Sequence, residues 1–469
     1  MLVIKLRRIL ETAETINRDR AVLAMVGLVL LVGAVLRFHN LGNEGLDDDE
    51  AASWIQAKDS LLDLIRRTAH DNYPPLHNLA LYAVIKLFGD SEWSLRPPSA
   101  IFGVANIGAV YWLATLTVGR TAGVIGAALL AISPFHLFYS QEARTYSLLA
   151  LAATVYAATC FQYLRAPSVQ RGAWVALTGL VLVYSHPYGA LDWITIAVAF
   201  TAFVFPSTVL PPRMIFIWKA SNAVVAAGFA PWALILAYRG YVIETKGFWI
   251  PVPFSSDIFN TMLDFLGGRL LGSVILVGVM LGVVGRLRRE VVVLYVWTFA
   301  PVTIGLVVST LSAPIFIWRY VIGSLPPLLL VSAFGWTKYV RDWRGVILSA
   351  AIIAIAGLTL LRFNSPYFEK EDWRAVASFL DERARPTDCV LIVPAFNAGG
   401  LSYFRRNSYC QWGATKLSDL PADMSASVVF GVFDSRRTAA YVDELRRRGW
   451  RDLDRTDFRG GVQVIAFSR

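Results

Sequence analysis

The sequence predicts a polytopic α-helical membrane protein that carries a small C-terminal α/β domain. Hydrophobic residues make up 56% of the 469 positions and charged residues only 17%, whereas roughly 25% is usual in soluble globular chains. Segments of about 16 to 25 residues lack any charge and are long enough to cross a hydrocarbon core. From about residue 364 the composition becomes that of a water-soluble domain. We therefore expect a membrane module over residues 1–363 and a soluble domain over 364–469.

Eleven apolar segments, ten of them without any charge, predict the transmembrane helices. The first follows a basic stretch, as in a signal peptide, but no small-residue cleavage site comes after it and the next residues are Arg37, Phe38 and His39. We therefore expect an uncleaved anchor that stays in the mature protein. The predicted spans cover approximately residues 21–36, 99–118, 121–139, 146–164, 172–190, 193–211, 220–238, 268–285, 291–312, 320–337 and 345–361.

The short loops between these spans differ in charge from one face to the other. In one set, basic residues outnumber acidic ones by sixteen to five, whereas the opposite set is rich in Asp and Glu. The positive-inside rule makes the basic set cytoplasmic, and an odd number of spans then places the C-terminal domain in the periplasm, as expected for a bacterial inner-membrane protein. The basic set comprises residues 1–20, the turn near 120, and residues 165–172, 212–219, 286–290 and 338–344.

The first outer loop, residues 37–98, is the longest connection in the membrane module. It contains two short amphipathic stretches, Ile55–Thr68 and Leu76–Phe88. Each is too short to cross a bilayer, so we expect juxtamembrane helices that lie at the interface or re-enter the membrane.

Alternating patterns of apolar residues predict the elements of the C-terminal domain. Period-2 and buried apolar runs indicate strands, and a period near 3.6 indicates helices. The predicted helices are Trp373–Ala384 and Arg436–Arg448, and the predicted strands are Cys389–Pro394, Ser427–Phe433 and Val462–Phe467.

Three cysteines are too few for a disulfide scaffold, and no zinc-type spacing occurs. The predicted topology places Cys389 and Cys410 in one small domain in an oxidising compartment, so we expect them to form a disulfide. Cys160 lies inside a predicted span and is expected to stay reduced.

Four adjacent carboxylates, Asp47, Asp48, Asp49 and Glu50, follow the first span. Crowding of like charges raises the pKa of at least some of them, which suits a general base. Two other interpretations stay open at this point. The run could be a solvated acidic loop, or its members could cap the helix that begins next.

The segment 70–77 reads His-Asp-Asn-Tyr-Pro-Pro-Leu-His, and its double proline favours a sharp start to the next helix. His70 and His77 could join Asp47 and Asp48 in a divalent metal site, although the spacing matches no specific ligand pattern. The alternative is a turn whose histidines are hydrogen-bonded.

The string Ser140–Tyr146, at the outer end of a predicted span, contains Glu142 and Arg144. An arginine there can hold a phosphate through charge-assisted hydrogen bonds while the glutamate orients it, or the two can form a structural ion pair. We expect both residues at or before the helix start. Arg319 interrupts an otherwise uncharged stretch and is either a headgroup anchor or an anion ligand.

These candidates come from separate stretches, yet the predicted topology places them all on the outer face. No phosphate-cradling glycine loop occurs on the cytoplasmic face, so a nucleotide substrate is not expected. The formal charge of +10 does not indicate nucleic-acid binding, because the Lys and Arg residues lie between apolar segments and form no single patch.

In this order, the motifs resemble those of the GT-C superfamily of integral-membrane glycosyltransferases. The resemblance is to the branch that contains protein O-mannosyltransferases and lipid A aminoarabinose transferases, and it covers residues from about 21 to 361. The residues that carry it are the Asp49-Glu50 pair, the Pro74-Pro75-Leu76 turn, the string Gln141–Tyr146, Arg319-Tyr320 and Pro326-Pro327.

The resemblance implies a polyprenyl-phosphate-linked sugar donor, transfer on the non-cytoplasmic face and inversion at the anomeric carbon. Asp49 resembles the aspartate that deprotonates the acceptor hydroxyl, and Glu50 would orient it or the acceptor. Arg144 and Arg319 would stabilise the departing phosphate. The residues expected to support this site are Glu142, Tyr146, His70, His77 and Tyr320.

This chain lacks two features of the proteins that it resembles, and these differences bear on the donor and the acceptor. Aminoarabinose transferases carry a lysine before a proline where this chain has Pro74-Pro75, so the resemblance does not fix an aminoarabinose donor. The β-trefoil insertion of eukaryotic protein mannosyltransferases has no counterpart, which weakens the case for a protein acceptor against a glycolipid or polysaccharide. The resemblance requires no cofactor and leaves a divalent metal open.

The competing function is a transporter or flippase for a lipid-linked sugar. Such a protein should show repeat symmetry and charged residues near the middle of its spans. Here the candidate charges lie at the outer ends of the spans, which favours the enzyme.

Overall fold

In the computed structural model the chain forms two compact units. The first contains Met1–His39, Ile65–His77 and Pro97–Phe363, and the second contains Asn40–Leu64, Asn78–Arg96 and Asn364–Arg469. Parts of the first outer loop thus fold with the C-terminal residues. The structure describes residues 2–71, 73–207, 211–246, 255–285, 287–312, 314–338, 368–422, 424, 426–434 and 438–469, with scattered positions between 350 and 360.

Helices dominate the described residues. In chain order they are α1 (Leu2–Phe38), α2 (Asp48–Ala57), α3 (Leu61–His70), α4 (Leu76–Phe88), α5 (Glu92–Leu95), α6 (Pro97–Leu116), α7 (Arg120–Ala131), α8 (Pro134–Ser140), α9 (Tyr146–Arg165), α10 (Val169–Ser185), α11 (Pro187–Ala199), α12 (Pro212–Lys246), α13 (Ser255–Phe265), α14 (Arg269–Val283), α15 (Arg289–Leu311), α16 (Leu325–Lys338), α17 (Trp373–Arg383), α18 (Ala398–Phe404) and α19 (Thr438–Arg447). A 3₁₀ helix, Trp318–Ser324, leads into α16.

Among the described residues, seven helices are long and apolar enough to cross a membrane, or up to nine if each of two bent pairs is one span. Nine of the eleven predicted spans correspond to these helices or bent pairs. The span predicted at 172–190 corresponds to α10, a helix of 17 residues that extends about 25 Å. The span predicted at 345–361 falls largely outside the described residues.

Local sequence explains where the predicted spans break. α7 and α8 meet at 61° because Ser133 caps the new helix through the His136 N–H and Pro134 occupies its first turn. The second bend, of 81°, follows Gly267 and Gly268, whose φ angles of +81° and +96° lie in the left-handed region that favours glycine.

The first outer loop is more helical than predicted. The single stretch expected over Ile55–Thr68 is instead the end of α2 and most of α3, because the Ser60 hydroxyl accepts a hydrogen bond from the Asp63 N–H at 3.1 Å and starts a new helix. The helix predicted at Leu76–Phe88 has those bounds in the structure.

The C-terminal residues form a five-stranded mixed sheet. Its strands are β1 (Cys389–Val393), β2 (Cys410–Gly413), β3 (Val428–Asp434), β4 (Arg451–Phe458) and β5 (Val462–Ser468). They lie in the order β2-β1-β3-β5-β4, with β1 parallel to β2 and β3, and β5 antiparallel to β3 and β4. The three predicted strands and two predicted helices are confirmed within two residues at each end.

Both faces of the sheet are covered, which makes this part a three-layer α/β/α sandwich. On one face, Trp373 and Leu380 of α17 pack against Ile392 and Val432. On the other face, Leu445 of α19 packs in a second apolar cluster of the sheet. The predicted disulfide between Cys389 and Cys410 is confirmed, and it joins the adjacent strands β1 and β2.

Candidate active site

The string that contains Glu142 and Arg144 is non-helical and lies directly before α9. Thr145 is the N-cap position and Tyr146 is the first helical residue, so the prediction that both charged residues precede the helix is confirmed. The Arg144 N–H donates to the Glu142 carbonyl at 2.7 Å, which closes a tight turn. Glu142 and Arg144 are both buried, at 4% and 5% exposure.

Hydrogen bonds from two other segments hold this string in place. The Ser99 hydroxyl donates to the Arg144 carbonyl at 3.0 Å, and Ser99 also contacts the buried His77 ring at 3.3 Å. The Thr145 hydroxyl donates to the Ser185 carbonyl at 2.6 Å. His77 therefore supports the string through Ser99, in line with the hydrogen-bonded alternative for this histidine.

Both arginines flank one tyrosine ring. The guanidinium carbons of Arg144 and Arg319 each lie 5.7 Å from the centroid of the Tyr146 ring. Arg144 also lies 4.8 Å from the Tyr73 ring, and Arg319 lies 5.9 Å from the Tyr320 ring. Rings at such distances attract a cation electrostatically, so the tyrosines contribute to holding both guanidinium groups. We call these five residues the arginine–tyrosine cluster.

The tyrosines of this cluster are joined to one another and to His186. The Tyr73 hydroxyl donates to the Tyr320 hydroxyl at 2.7 Å. Burial raises the pKa of Tyr73 well above its usual range, so this hydroxyl stays a neutral donor. The His186 ring lies 4.9 Å from the Tyr320 ring and 5.2 Å from the Tyr73 ring. The sequence predicts Tyr146 and Tyr320 as supporting residues of the site but assigns no role to Tyr73 or His186.

The acidic run belongs to the second unit and begins α2. Asp47 is the N-cap, accepting the Glu50 N–H at 2.8 Å, and Glu50 reaches back to the Asp47 N–H at 3.4 Å. This reciprocal pair is a capping box. The capping interpretation is therefore confirmed for Asp47. The carboxylates of the first turn also lie at the positive end of the helix dipole, which stabilises their negative charge.

Glu50 is enclosed by cations. Arg96 donates from Nε and Nη2 to the two Glu50 carboxylate oxygens at 2.8 and 2.7 Å, and Glu50 is fully buried. The other Arg96 donors go to the carbonyls of Leu41, Glu44 and Gly45 at 2.6 to 2.9 Å. Because all five guanidinium N–H groups are used, Arg96 holds the chain before α2 and the helix itself in one arrangement.

Lys370, from the start of the C-terminal residues, joins the same buried cluster. Its Nζ lies 3.0 Å from Glu50 Oε2 and 3.9 Å from Asp47 Oδ2. Burial, together with the neighbouring charges of Glu50 and Asp49, raises the pKa of Asp47 to about 6, and Lys370 opposes that increase. The sequence predicted neither Arg96 nor Lys370 as a partner of Glu50, because both residues are distant from α2 in sequence.

Asp48 faces a second carboxyl group, that of Glu371. Burial and the neighbouring Glu371 raise the pKa of Asp48 well above its usual range, and burial raises the pKa of Glu371 as well. Asp48 also accepts from the Gly400 N–H at 3.4 Å, and Glu371 accepts from the Trp373 indole at 3.0 Å. Two carboxyl groups this close share a proton more readily than they carry two charges.

The remaining predicted residues have less specific surroundings. Asp49 lies in the first turn of α2 and is half-buried, and His70 is the exposed last residue of α3. Among the residues that the structure describes, no group of three or more His, Cys, Asp or Glu side chains could hold a metal ion. The metal alternative for Asp47, Asp48 and His77 therefore has no structural support.

The buried carboxyl groups predict that the second unit loses stability as the pH rises. A carboxyl whose pKa is raised by folding favours the folded state when protonated, and that contribution disappears as the pH rises through the raised pKa. For Asp47, the increase from 3.8 to about 6 corresponds to about 3 kcal/mol. We expect the melting temperature of the purified protein, followed by tryptophan fluorescence, to fall as the pH rises from about 4 to about 6.

Asp48→Asn provides the matched test of this pH dependence. The amide can donate to Glu371 at any pH, so the variant should melt at a higher temperature than the wild type at pH 7.5 and depend less on pH. Equal melting curves for both proteins across this range would show that the Asp48–Glu371 pair does not share a proton.

Comparison with known proteins gives the fold class. Residues 72–234 match the model of the dolichyl-phosphate-mannose-protein mannosyltransferase family. ArnT from Cupriavidus metallidurans, solved with undecaprenyl phosphate, is similar with a TM-score of 0.58 and 13% identity over 95% of this chain and 97% of that one. AglB from Archaeoglobus fulgidus, in complex with an inhibitory peptide and a dolichol-phosphate, is similar with a TM-score of 0.59 and 14% identity over 91% of this chain and 71% of that one.

No curated protein matches the chain by sequence. The structural matches nevertheless give the chain the fold of the GT-C integral-membrane glycosyltransferases, and the predicted resemblance is confirmed. The chain therefore has the multi-pass helical fold of these proteins, with a small C-terminal α/β domain.

Proposed function

We propose that the protein is an inverting glycosyltransferase that moves a sugar from a polyprenyl-phosphate donor to an envelope acceptor. The observation that carries the proposal is the arginine–tyrosine cluster, in which two cations flank the same Tyr146 ring. The cluster belongs to a chain with the GT-C fold, and two similar structures contain a polyprenyl phosphate, undecaprenyl phosphate in ArnT and dolichol-phosphate in AglB.

The charges of the cluster suit a phosphate group. Two guanidinium groups held near one ring can donate hydrogen bonds to the oxygens of a single phosphate. Arginine binds phosphate with matched planar geometry. In this proposal Arg144 and Arg319 bind the donor phosphate, while Tyr73, Tyr146 and Tyr320 orient the two arginines.

Asp49 acts as the general base in the proposed reaction. The acceptor hydroxyl attacks the anomeric carbon and gives its proton to the Asp49 carboxylate. The bond between the anomeric carbon and the phosphate oxygen breaks, and its electron pair leaves with the polyprenyl phosphate, whose charge the arginines stabilise. Attack opposite the leaving group inverts the configuration. Glu50 keeps α2 in place through its ion pairs with Arg96 and Lys370.

We place this reaction on the periplasmic face of a bacterial inner membrane. The basic loops favour a cytoplasmic N-terminus. The Cys389–Cys410 disulfide supports an oxidising compartment for the C-terminal domain. The donor then approaches through the membrane lipids, and the acceptor is a glycolipid, a polysaccharide or a protein of the envelope.

A donor panel tests the function. Purified protein is incubated with polyprenyl-phosphate mannose, glucose or arabinose and with envelope membranes from a strain that lacks the protein. We expect one donor to release free polyprenyl phosphate as its sugar appears on a membrane acceptor. Mass spectrometry of envelope glycans from the deletion strain should show the loss of the same sugar.

Two results would contradict the proposal. Movement of the intact lipid-linked sugar across a vesicle membrane, without release of polyprenyl phosphate, would identify a transporter. Unchanged envelope glycans in the deletion strain, together with no transfer from any donor, would exclude the enzyme.

A further inference from the structure

We infer that Lys370 is a positioning residue for transfer and that the C-terminal domain serves to hold the helix that carries the base. This inference rests on the proposed function, because it assigns the domain a role in the same reaction. The contacts that carry it lie within the second unit, which contains both α2 and the C-terminal residues.

C-terminal residues contact α2 along its length. Lys370 and Glu371 meet the acidic first turn. In the next part of the helix, a Cβ on Gly399 would lie 3.4 Å from Ala51, which shows how closely α18 approaches. At the end of α2 the Trp54 and Tyr403 rings meet edge to face at 5.0 Å.

Other residues of the first outer loop also contact α2 and the C-terminal residues. The Tyr403 hydroxyl donates to the Asp90 carbonyl at 2.7 Å, and the Trp54 indole of α2 donates to the Asp90 carboxylate at 2.9 Å. α2 is therefore fixed by loop residues and C-terminal residues together. Its orientation depends on both.

Lys370 contributes ionic contacts to this arrangement, in addition to packing. Its ammonium group contacts Glu50 and Asp47, which are the two members of the capping box at the start of α2. Asp49, which we propose as the base, lies between these two residues in the sequence and in the same first turn of α2. Loss of the ammonium takes a cation away from both Glu50 and Asp47, so the first turn is expected to shift or to take up a proton.

The test compares Lys370→Met with Arg374→Met, using the donor identified in the panel. Arg374 also connects C-terminal residues to the loop, through Glu92 and the Asn43 carbonyl, but it does not contact the acidic turn. We expect Lys370→Met to lower kcat by about 10²-fold, as for a misplaced reacting group, with the Kd for undecaprenyl phosphate unchanged. Arg374→Met should keep the wild-type kcat.

Two further readouts separate positioning from simple loss of structure. Because Lys370→Met removes a positive charge from beside the acidic first turn that carries the base, proton loss from that turn becomes less favourable, and the acid limb of the kcat profile should move to higher pH. The conservative Lys370→Arg keeps the charge and should restore most of the rate. If Lys370→Met is not recovered folded, Lys370→Gln keeps a donor for Glu50 without the charge and should show the same loss and the same pH shift.

Wild-type kcat in Lys370→Met or Lys370→Gln would overturn the inference while leaving the glycosyltransferase proposal intact. The same holds for an equal loss in Arg374→Met with an unchanged pH profile, since that would show a merely structural connection. Absence of transfer by the wild-type protein from every donor would instead reject the proposed function, and the role of Lys370 in transfer with it.

Discussion

Asp49→Asn is expected to lower sugar transfer by about 10²–10⁴-fold, the usual contribution of a general base, while folding and donor binding stay close to wild type. A neutral acceptor hydroxyl must lose its proton as its oxygen bonds to the anomeric carbon. The amide keeps the shape of the side chain but cannot accept that proton. The measurement is single-turnover transfer with the donor that the panel identifies, alongside the Kd for undecaprenyl phosphate.

The neighbouring acids are the controls for this substitution. Asp48 shares its surroundings with Glu371, and Asp47 caps α2, so Asp48→Asn and Asp47→Asn should retain much more activity than Asp49→Asn. Full activity in Asp49→Asn with an inactive neighbour would move the base to that neighbour. Full activity in all three variants would leave the run with a structural role alone and reject the mechanism.

The sequence predicted the local features of this fold well. Uncharged runs placed most of the spans, and apolar periodicity placed α17, α19, β1, β3 and β5. Strand β4 was missed because Arg451–Phe458 alternates charges rather than apolar residues, and its side chains are largely exposed. It forms a strand because β5 pairs with it, which is a long-range interaction that local composition does not encode.

For the candidate site as well, the sequence indicated some of the residues and the structure alone revealed the others. The order of the motifs indicated Arg144 and Arg319 as site residues, and in the structure both lie near the Tyr146 ring. Sequence did not indicate that Glu50 is neutralised by Arg96 and Lys370, because those residues lie 46 and 320 positions away. A buried ion pair between distant residues leaves no periodic signal. The structural role of Glu50, and with it that of the C-terminal domain, became visible only in three dimensions.

Arg144→Ala is expected to weaken both donor binding and turnover, unlike Asp49→Asn. A hydrogen bond between charged groups contributes about 1.5–3 kcal/mol, so the Kd for undecaprenyl phosphate should rise by roughly 10- to 100-fold. The same contact stabilises the phosphate as it leaves, and loss of such a donor typically lowers kcat by about 10²–10³-fold. Native mass spectrometry for binding and single-turnover transfer for the rate measure the two effects separately.

Arg165→Ala is the matched control, because Arg165 lies at the opposite end of the same helix, where it donates to the Thr115 and Leu116 carbonyls. It should leave both the Kd and kcat unchanged. Arg144→Lys keeps the charge but not the planar fork of donors, so it should recover binding more than turnover. If Arg144→Ala bound undecaprenyl phosphate as tightly as the wild type and lost only thermal stability, Arg144 would be a structural cation of the arginine–tyrosine cluster, and the donor phosphate would bind elsewhere.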